Sequence, residues 1–370
     1  MTICLFSPYL PNNFGGGEKY LLDSALALRH SKKHQVYVAI SSSGQNLTVS
    51  RLKKIKHDYE QFMGASLKEL HFIATPLASS ANFLKKYLWT RHFDVLFYLT
   101  DGSLFFSGAK RNILHIQVPL KLDKSGWLER QKLKNWHKKI TNSYFTKSII
   151  EPSWQTKIDL VHQPMIEAEP LIVSTDLHKK EKIILNVGRF FPQLHSKRQD
   201  IMVKIFARLL RDHKREVKDW KLVLIGNVED KKFATRVKSL AKGLPIEIKH
   251  EVSRKELIEY YQRSSIYWHA TGYRVNEQQT PEKVEHFGIS TVEAMACGNV
   301  PVVMGKGGQL EVVGEDFQDW LWLTQHECLK KTKQLIKNQE LRLQLQKRAQ
   351  QRSRQFSPEA FTTKLEQLLY

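Results

Sequence analysis

Short apolar runs that read as strands alternate with helical patterns along this chain, and the alternation starts afresh near its middle. Residues 3–6, 35–40, 70–73 and 95–99 are strand-like, 112–119 is a strand-to-loop junction, and 140–149 reads as another strand and helix start. The pattern restarts at 182–189 and continues through 222–225, 246–249, 266–269 and 300–304. Strands separated by helices pair in parallel, because a parallel neighbour is reached through a crossover, so the expected class is α/β. With 370 residues the chain exceeds one ordinary core, and the restart divides it. The expected boundaries are a first domain 1–165, a linker 166–181 carrying Pro170 and several charges, and a second domain 182–356. Ser357-Pro358-Glu359 opens a last helix, with serine at the N-cap and proline in the first position.

Composition is ordinary for a globular protein, 41% hydrophobic and 26% charged, but the formal net charge of +21 is not. That excess is spread evenly over both halves, so it is no basic tail, and it implies an anionic partner. Nucleic acid would satisfy the charge, yet no zinc-finger, RNP, KH or helix-turn-helix pattern accompanies it. The three cysteines, Cys4, Cys297 and Cys328, show no C-x-x-C spacing, which argues for a reducing compartment and against a structural zinc site. No run reaches the ~18 apolar residues of a membrane span. Residues 2–6 are too short for a signal peptide and lack a basic flank. The expectation is a cytoplasmic protein, peripheral on a membrane at most.

Several stretches carry candidate chemistry. After the first strand and a loop at 7–14, Gly15-Gly16-Gly17-Glu18 leads into a helical pattern of Tyr20, Leu21, Ala25 and Leu28. Strand, glycine loop and helix aim backbone N–H groups at a phosphate, although a triple glycine is also simply a tight turn. The G-x-G-x-x-G dinucleotide fingerprint is absent. Residues 285–308 read E-H-F-G-I-S-T-V-E-A-M-A-C-G-N-V-P-V-V-M-G-K-G-G: loop, helix, buried strand, glycine turn. Ser290 suits an N-cap, Gly298 closes the helix, and glutamates flank its start. Ser290-Thr291-Val292-Glu293 is equally a capping box, in which Glu293 would serve the helix alone. His115 lies near the carboxyl end of its strand, where α/β proteins gather their sites; a packed histidine is the alternative. Residues 121–140 are rich in Lys, Arg and His, with Trp127, Leu128, Leu133 and Trp136 interleaved. A basic amphipathic helix of that kind suits an anionic membrane surface, or else packs its apolar stripe on the sheet.

Taken together, these residues resemble the retaining, nucleotide-sugar-dependent glycosyltransferases of family 4, the broad glycosyltransferase group 1. The resemblance rests on Gly15-Gly16-Gly17-Glu18, on Asn186-Val187-Gly188-Arg189-Phe190 with Lys197, and on Trp268-His269-Ala270-Thr271-Gly272. Its most specific part is the E-x7-E motif from Glu285 to Glu293, followed by Pro301-Val302-Val303 and Gly307-Gly308-Gln309. The E-H-F-G-I core also looks like the mannosyltransferases that build lipid-linked oligosaccharides.

The resemblance implies a GT-B fold, two Rossmann-like doubly wound domains facing across a cleft, with the last helix of about 357–370 packing back on the first. The first domain would take the acceptor and the second the nucleotide sugar. Arg189 and Lys197 would neutralise the departing diphosphate, and Gly16 and Gly17 would approach it with backbone N–H groups. Phe287, Gly288, Ile289 and Ser290 would supply further amides, Glu293 would take the ribose hydroxyls, and His269 would belong to the donor site. Glu285 would face the transferred sugar, orienting it and stabilising positive charge without a covalent step, and His115 would contact the sugar. No D-x-D motif is present, and such enzymes use cations of their own, so neither a metal nor a cofactor is expected. The implied activity is transfer of a hexose from a GDP- or UDP-sugar to a glycan or lipid-linked acceptor, in cell-surface polysaccharide or glycolipid synthesis. The competing readings are a non-catalytic GT-B protein binding a glycan or a partner, and a nucleic-acid binder. One departure stands out: 314–322 lacks the N-G-x-L pattern usual after the glycine turn.

Overall fold

The computed structural model describes residues 1–12, 14–30, 34–41, 47–77 and 81–370. Asn13, part of the loop expected at 7–14, lies outside them. The chain divides into two compact units, Met1–Met165 with Pro358–Tyr370, and Ile166–Ser357. Each is built on one all-parallel sheet.

The first unit holds β1 (Thr2–Phe6), β2 (Gln35–Ser41), β3 (His71–Thr75), β4 (Val95–Thr100), β5 (Arg111–Ile116), β6 (Lys138–Thr141) and β7 (Leu160–Val161), in the order β3-β2-β1-β4-β5-β6-β7. Both faces of the sheet are covered, so the central strands β1, β2 and β4 are apolar at most positions. Ile3 and Leu5 of β1 face one core while Cys4 and Phe6 face the other. On the first face lie α1 (Gly16–His30), α2 (Val49–Met63) and the C-terminal helix (Pro358–Gln367), whose Phe361 and Leu365 are buried in that core. The second face is covered by α3 (Phe83–Thr90), α4 (Trp127–Asn135) and α5 (Tyr144–Trp154).

The second unit contributes β8 (Ile183–Val187), β9 (Lys221–Ile225), β10 (Ile246–Lys249), β11 (Ile266–His269), β12 (Val300–Met304) and β13 (Leu321–Trp322), in the order β10-β9-β8-β11-β12-β13. Its helices are α6 (Ala168–Val173), α7 (Gln199–Asp212), α8 (Lys214–Val217), α9 (Lys231–Ala241), α10 (Arg254–Arg263), α11 (Ile289–Ala296), α12 (Gln309–Val313), α13 (Gln325–Lys337) and α14 (Gln339–Ser353); the C-terminal helix is therefore α15. Local chemistry explains several boundaries. Ser253 accepts from the Glu256 N–H at 3.2 Å to start α10, and Thr324 with Glu327 forms a reciprocal capping box on α13.

Four expectations change. The stretch 166–181 is not a bare linker: Ile166, with Ala168 and Leu171 of α6, is buried in the second unit's core. Residues 121–140 do not form one amphipathic helix. They run as a loop, the nine-residue α4 and the start of β6, and Trp136 is buried against Tyr98 and Phe105. Only the α4 start, with Trp127 at 75% and Leu128 at 51% exposure, shows apolar groups to solvent. Ser290 is not an N-cap, because α11 begins one residue earlier from Gly288 at φ 118°. Lastly, 314–322 forms a turn of 3-10 helix over Glu315–Trp320 that buries Phe317 and Trp320, then pairs β13 with β12.

Candidate functional site

The second unit collects its ionisable groups where β8 and β11 end and α11 begins. Glu285 sits at the centre. One carboxylate oxygen takes Lys197 Nζ at 2.5 Å and His269 Nε2 at 2.8 Å, and the Lys197 and Glu285 side chains are each only 14% exposed. Burial pushes the Glu285 pKa up, but the Lys197 charge, the His269 bond and the nearby His195 outweigh it, and the result lies well below the usual carboxylate range. Burial also lowers His269 despite Glu285, so its ring is neutral and donates from Nε2 to the carboxylate.

Backbone geometry makes this cluster possible. Lys197 packs its stem against Gly188, where a Cβ would lie 2.6 Å from its Cγ. Gly307 and Gly308 press on the backbone of Glu285 and His286, with the Gly308 N–H donating to the Glu285 carbonyl at 2.8 Å. The two glycine-rich features of 285–308 are therefore one object: the second turn props up the first. Arg189, beyond β8, pairs with Glu229 at 2.8 Å and bonds His195 at 3.0 Å. Burial first, then the charges of Lys197, His286 and Arg189, bring His195 down to about 3, with Glu285 acting in the opposite sense.

At the other end of α11, Glu293 does not serve as a capping residue. Its oxygens take Arg254 Nη2 at 2.7 Å and the Tyr261 hydroxyl at 3.1 Å. Ser290 accepts from the Tyr267 hydroxyl at 2.8 Å. Gly288 and Ile289 start the helix, and the first N–H groups of any helix find no partner inside it. Phe287 is buried against Phe356 and fixes the entry of the chain. Gln309 is fully buried beside Gly288, with neither amide atom partnered.

Glu285, Lys197 and His269 are thus in direct contact. Arg189 joins them through His195, which contacts Arg189 and packs 5.4 Å from the His286 ring. Glu293 belongs to the same helix but to a separate pair. Gly16 and Gly17, in the first unit, open α1, where Gly15 donates to Glu18 at 2.9 Å and Gly17 faces Gln117. His115 is a correction: it is 0% exposed, stacked on Tyr20 at 4.2 Å, with both ring nitrogens unpartnered. Burial and His162 hold its pKa well below normal, so it is a neutral core residue, as the packed alternative has it. Neither motif nor spacing marks His195, Glu229, Arg254, Tyr261 or Gln309 as site residues. The partner of Arg254, Glu293, lies 39 residues away, and nothing in the motif Gly307-Gly308-Gln309 shows that the Gln309 side chain is buried beside Gly288. Among the described residues, no three His, Cys, Asp or Glu side chains are grouped to hold a metal ion.

The chain is similar to known proteins in family and in fold. A family described as glycosyl transferases group 1 matches residues 168–352. The GDP-Man:Man(3)GlcNAc(2)-PP-Dol alpha-1,2-mannosyltransferase of Xenopus tropicalis is 28% identical over 184 residues, which is 47% of this chain and 35% of that protein. The match therefore spans about a third of that relative's length. A glycosyltransferase from Rickettsia africae superposes with a TM-score of 0.72 at 14% identity, covering 100% of this chain and 97% of the other. Anabaena HepE in complex with UDP-glucose gives 0.68 at 16% identity, covering 100% and 98%.

Proposed function

The chain belongs to the group 1 glycosyl transferases and has the GT-B fold of two Rossmann-like domains, and from that premise we propose that it transfers a hexose, with retention, from a nucleotide diphosphate sugar to a glycan or lipid-linked acceptor. The observation that carries this reading is the buried Lys197–Glu285–His269 contact at the start of α11. Departure of a nucleoside diphosphate builds negative charge, and a fixed cation with unpartnered helix amides is preorganised to receive it. Glu285 holds Lys197. A bound diphosphate would compete for that ammonium, assisted by Arg189 and the amides of residues 287–290. The Glu285 carboxylate, ionised because its surroundings hold it so, would then face the developing positive charge of the sugar. His269 keeps it oriented by donating from one side. Glu293 would meet the ribose hydroxyls while Arg254 and Tyr261 hold its carboxylate in place. These cationic side chains do the work for which other transferases use a metal, so no metal is assigned.

The mannosyltransferase relatives favour GDP-mannose as donor and a lipid-linked glycan as acceptor. A protein of this kind would work at the cytoplasmic face of a membrane, in cell-surface polysaccharide or glycolipid synthesis. The test is a thermal-shift panel of GDP, UDP and their sugars, with and without EDTA. Stabilisation by one nucleotide family, retained in EDTA and reduced about tenfold or more in affinity by Glu293→Ala, is the expected outcome. A folded sample that answers no nucleotide would favour the non-catalytic glycan- or partner-binding protein.

A further inference from the structure

Helix α3 of the first unit is inside out. A surface helix normally turns its apolar stripe to the core and its charges to water. Successive residues are rotated by about 100°, which gathers Phe83, Tyr87, Leu84 and Leu88 on one arc, with Thr90 at its edge beside Phe83 and Trp89 on the opposite side. Trp89, Thr90 and the half-buried Tyr87 meet the protein, the Tyr87 ring lying against Gly108. Thr90 is fully buried and accepts the Gly108 N–H at 2.7 Å, while Trp89 packs on Phe93 at 5.0 Å. The apolar arc therefore points away from the sheet: Phe83 is 56%, Leu84 58% and Leu88 46% exposed. Asn82 caps the helix by accepting from the Lys85 N–H at 2.9 Å, and Phe106 packs edge-on against Phe83, so this orientation is held by the fold.

The charges next to the arc along the chain have one sign. Lys85, Lys86, Arg91 and His92 lie on or just after α3, and the chain carries no carboxylate between Glu69 and Asp94. An exposed apolar arc flanked along the chain only by cations does not suit an ordinary solvated helix, whose outward face would be polar and of mixed charge. It matches the boundary of an anionic bilayer, where aromatic and aliphatic groups enter the headgroup layer and lysines reach the phosphates.

We propose that α3 is a docking surface for an anionic lipid bilayer, with Phe83, Leu84 and Leu88 as the inserted groups and Lys85 and Lys86 as the electrostatic contacts. This relocates the membrane contact expected at 121–140, where Trp136 is a core residue. It stands on the surface of α3 alone and does not depend on the donor site. A lipid-linked acceptor would give it a purpose.

The experiment is co-sedimentation of the full chain with vesicles of phosphatidylcholine, alone or mixed with phosphatidylglycerol. Binding is expected only to the mixed vesicles, and it should weaken as salt is raised. Phe83→Ser/Leu84→Ser/Leu88→Ser should lower partitioning by about tenfold or more, and Lys85→Glu/Lys86→Glu should lower it too and flatten the salt dependence. Trp127→Ser should change little. Since the α3 groups are exposed, the melting temperature and the nucleotide-induced shift should be those of the parent, which separates failure here from failure of the donor-site reading. Loss of binding in Trp127→Ser but not in the α3 variants would overturn the assignment. So would equal binding to both vesicle types, or a lipid-free oligomer that the triple variant dissolves, which would make α3 a contact between copies of this chain.

Discussion

The two units each end a central strand in a loop that opens a helix with glycine, yet they use their buried ionisable groups in opposite ways. In the second unit Lys197, Glu285, His269, His195 and Arg189 form one network at strand ends, with charges of both signs held together. In the first unit the corresponding helix start has Glu18 and Gln117, and the buried ionisable groups lie deeper. There the Tyr20 hydroxyl bonds His162 Nδ1, and His162 Nε2 bonds the Phe361 carbonyl at 2.9 Å, tying α1 to α15. His115 packs beside them. The first unit's network holds neutral groups that fasten helices; the second unit's holds paired charges. A buried histidine therefore indicates nothing about chemistry until its neighbours are known.

The widest gap between the two should come from removing the cation at the centre of the charged one. Lys197→Ala is expected to lower turnover by about 10²–10³, because the diphosphate charge is greatest in the transition state, with a smaller change in KM. It should also destabilise the fold by up to about 3 kcal/mol, since the Glu285 carboxylate is left largely buried without its cation. Lys197→Ala/Glu285→Gln should regain most of that stability and none of the turnover. Steady-state kinetics and thermal melts of both variants check this; an unchanged turnover number in Lys197→Ala would remove the assigned role.

Acid should separate the networks next. Burial holds His162 at about 4 and His195 at about 3, and His115 also well below normal. In the unfolded chain these rings titrate near 6.5. The unfolded state therefore binds more protons between those values, and stability falls as pH is lowered from about 6.5 toward 4. His162→Gln should flatten that fall by an amount on the order of 1–3 kcal/mol, measured by melts across the window, while nucleotide affinity at neutral pH stays as in the parent. If the slope is the same in His162→Gln, the first unit's network does not carry the acid sensitivity. Glu285 acts at lower pH: its depressed pKa contributes stability that is present above about 4.3 and lost as pH falls through the folded value.

How far the sequence could be read follows from the same contrast. The parallel α/β class was legible because buried strands leave continuous apolar runs between helical patterns, as in residues 95–99 and 300–304. Glu285, Lys197 and His269 were legible through motif resemblance, although spacing alone gave no hint that they touch. What escaped depended on side-chain direction. His115 occupies a strand end, where a site residue is plausible, but its position on the β5 pleat turns it into the core beside Ile113 and away from solvent. Trp127 and Trp136 looked alike on one basic stripe; the end of α4 between them sends one outward and the other inward. The Arg254–Glu293 pair joins residues 39 apart, and a capping-box pattern offered Glu293 a local use that the fold does not make of it.

The smallest effects should come from the glycines that start the two helices, and the difference between them sharpens the comparison. Gly288 is at φ 118°, and a Cβ there would lie 2.4 Å from Gln309 Nε2, a fully buried side chain. Gly288→Ala thus meets both a disfavoured backbone angle and a neighbour with no room to retreat, and should cost about 1–3 kcal/mol along with weaker nucleotide binding. Gly17 has an ordinary helical backbone, and the one close atom a Cβ would meet is Gln117 Oε1 at 2.8 Å, the far end of a half-buried side chain. Gly17→Ala should therefore change the melting temperature little, because the added methyl removes some of glycine's freedom in the unfolded chain while Gln117 swings aside. If Gly17 brings its N–H to the donor diphosphate, the same methyl should raise the KM for donor severalfold while leaving stability intact. A Gly17→Ala protein with parental kinetics and parental stability would make the first unit's glycine turn purely structural, and would leave phosphate recognition to the second unit alone.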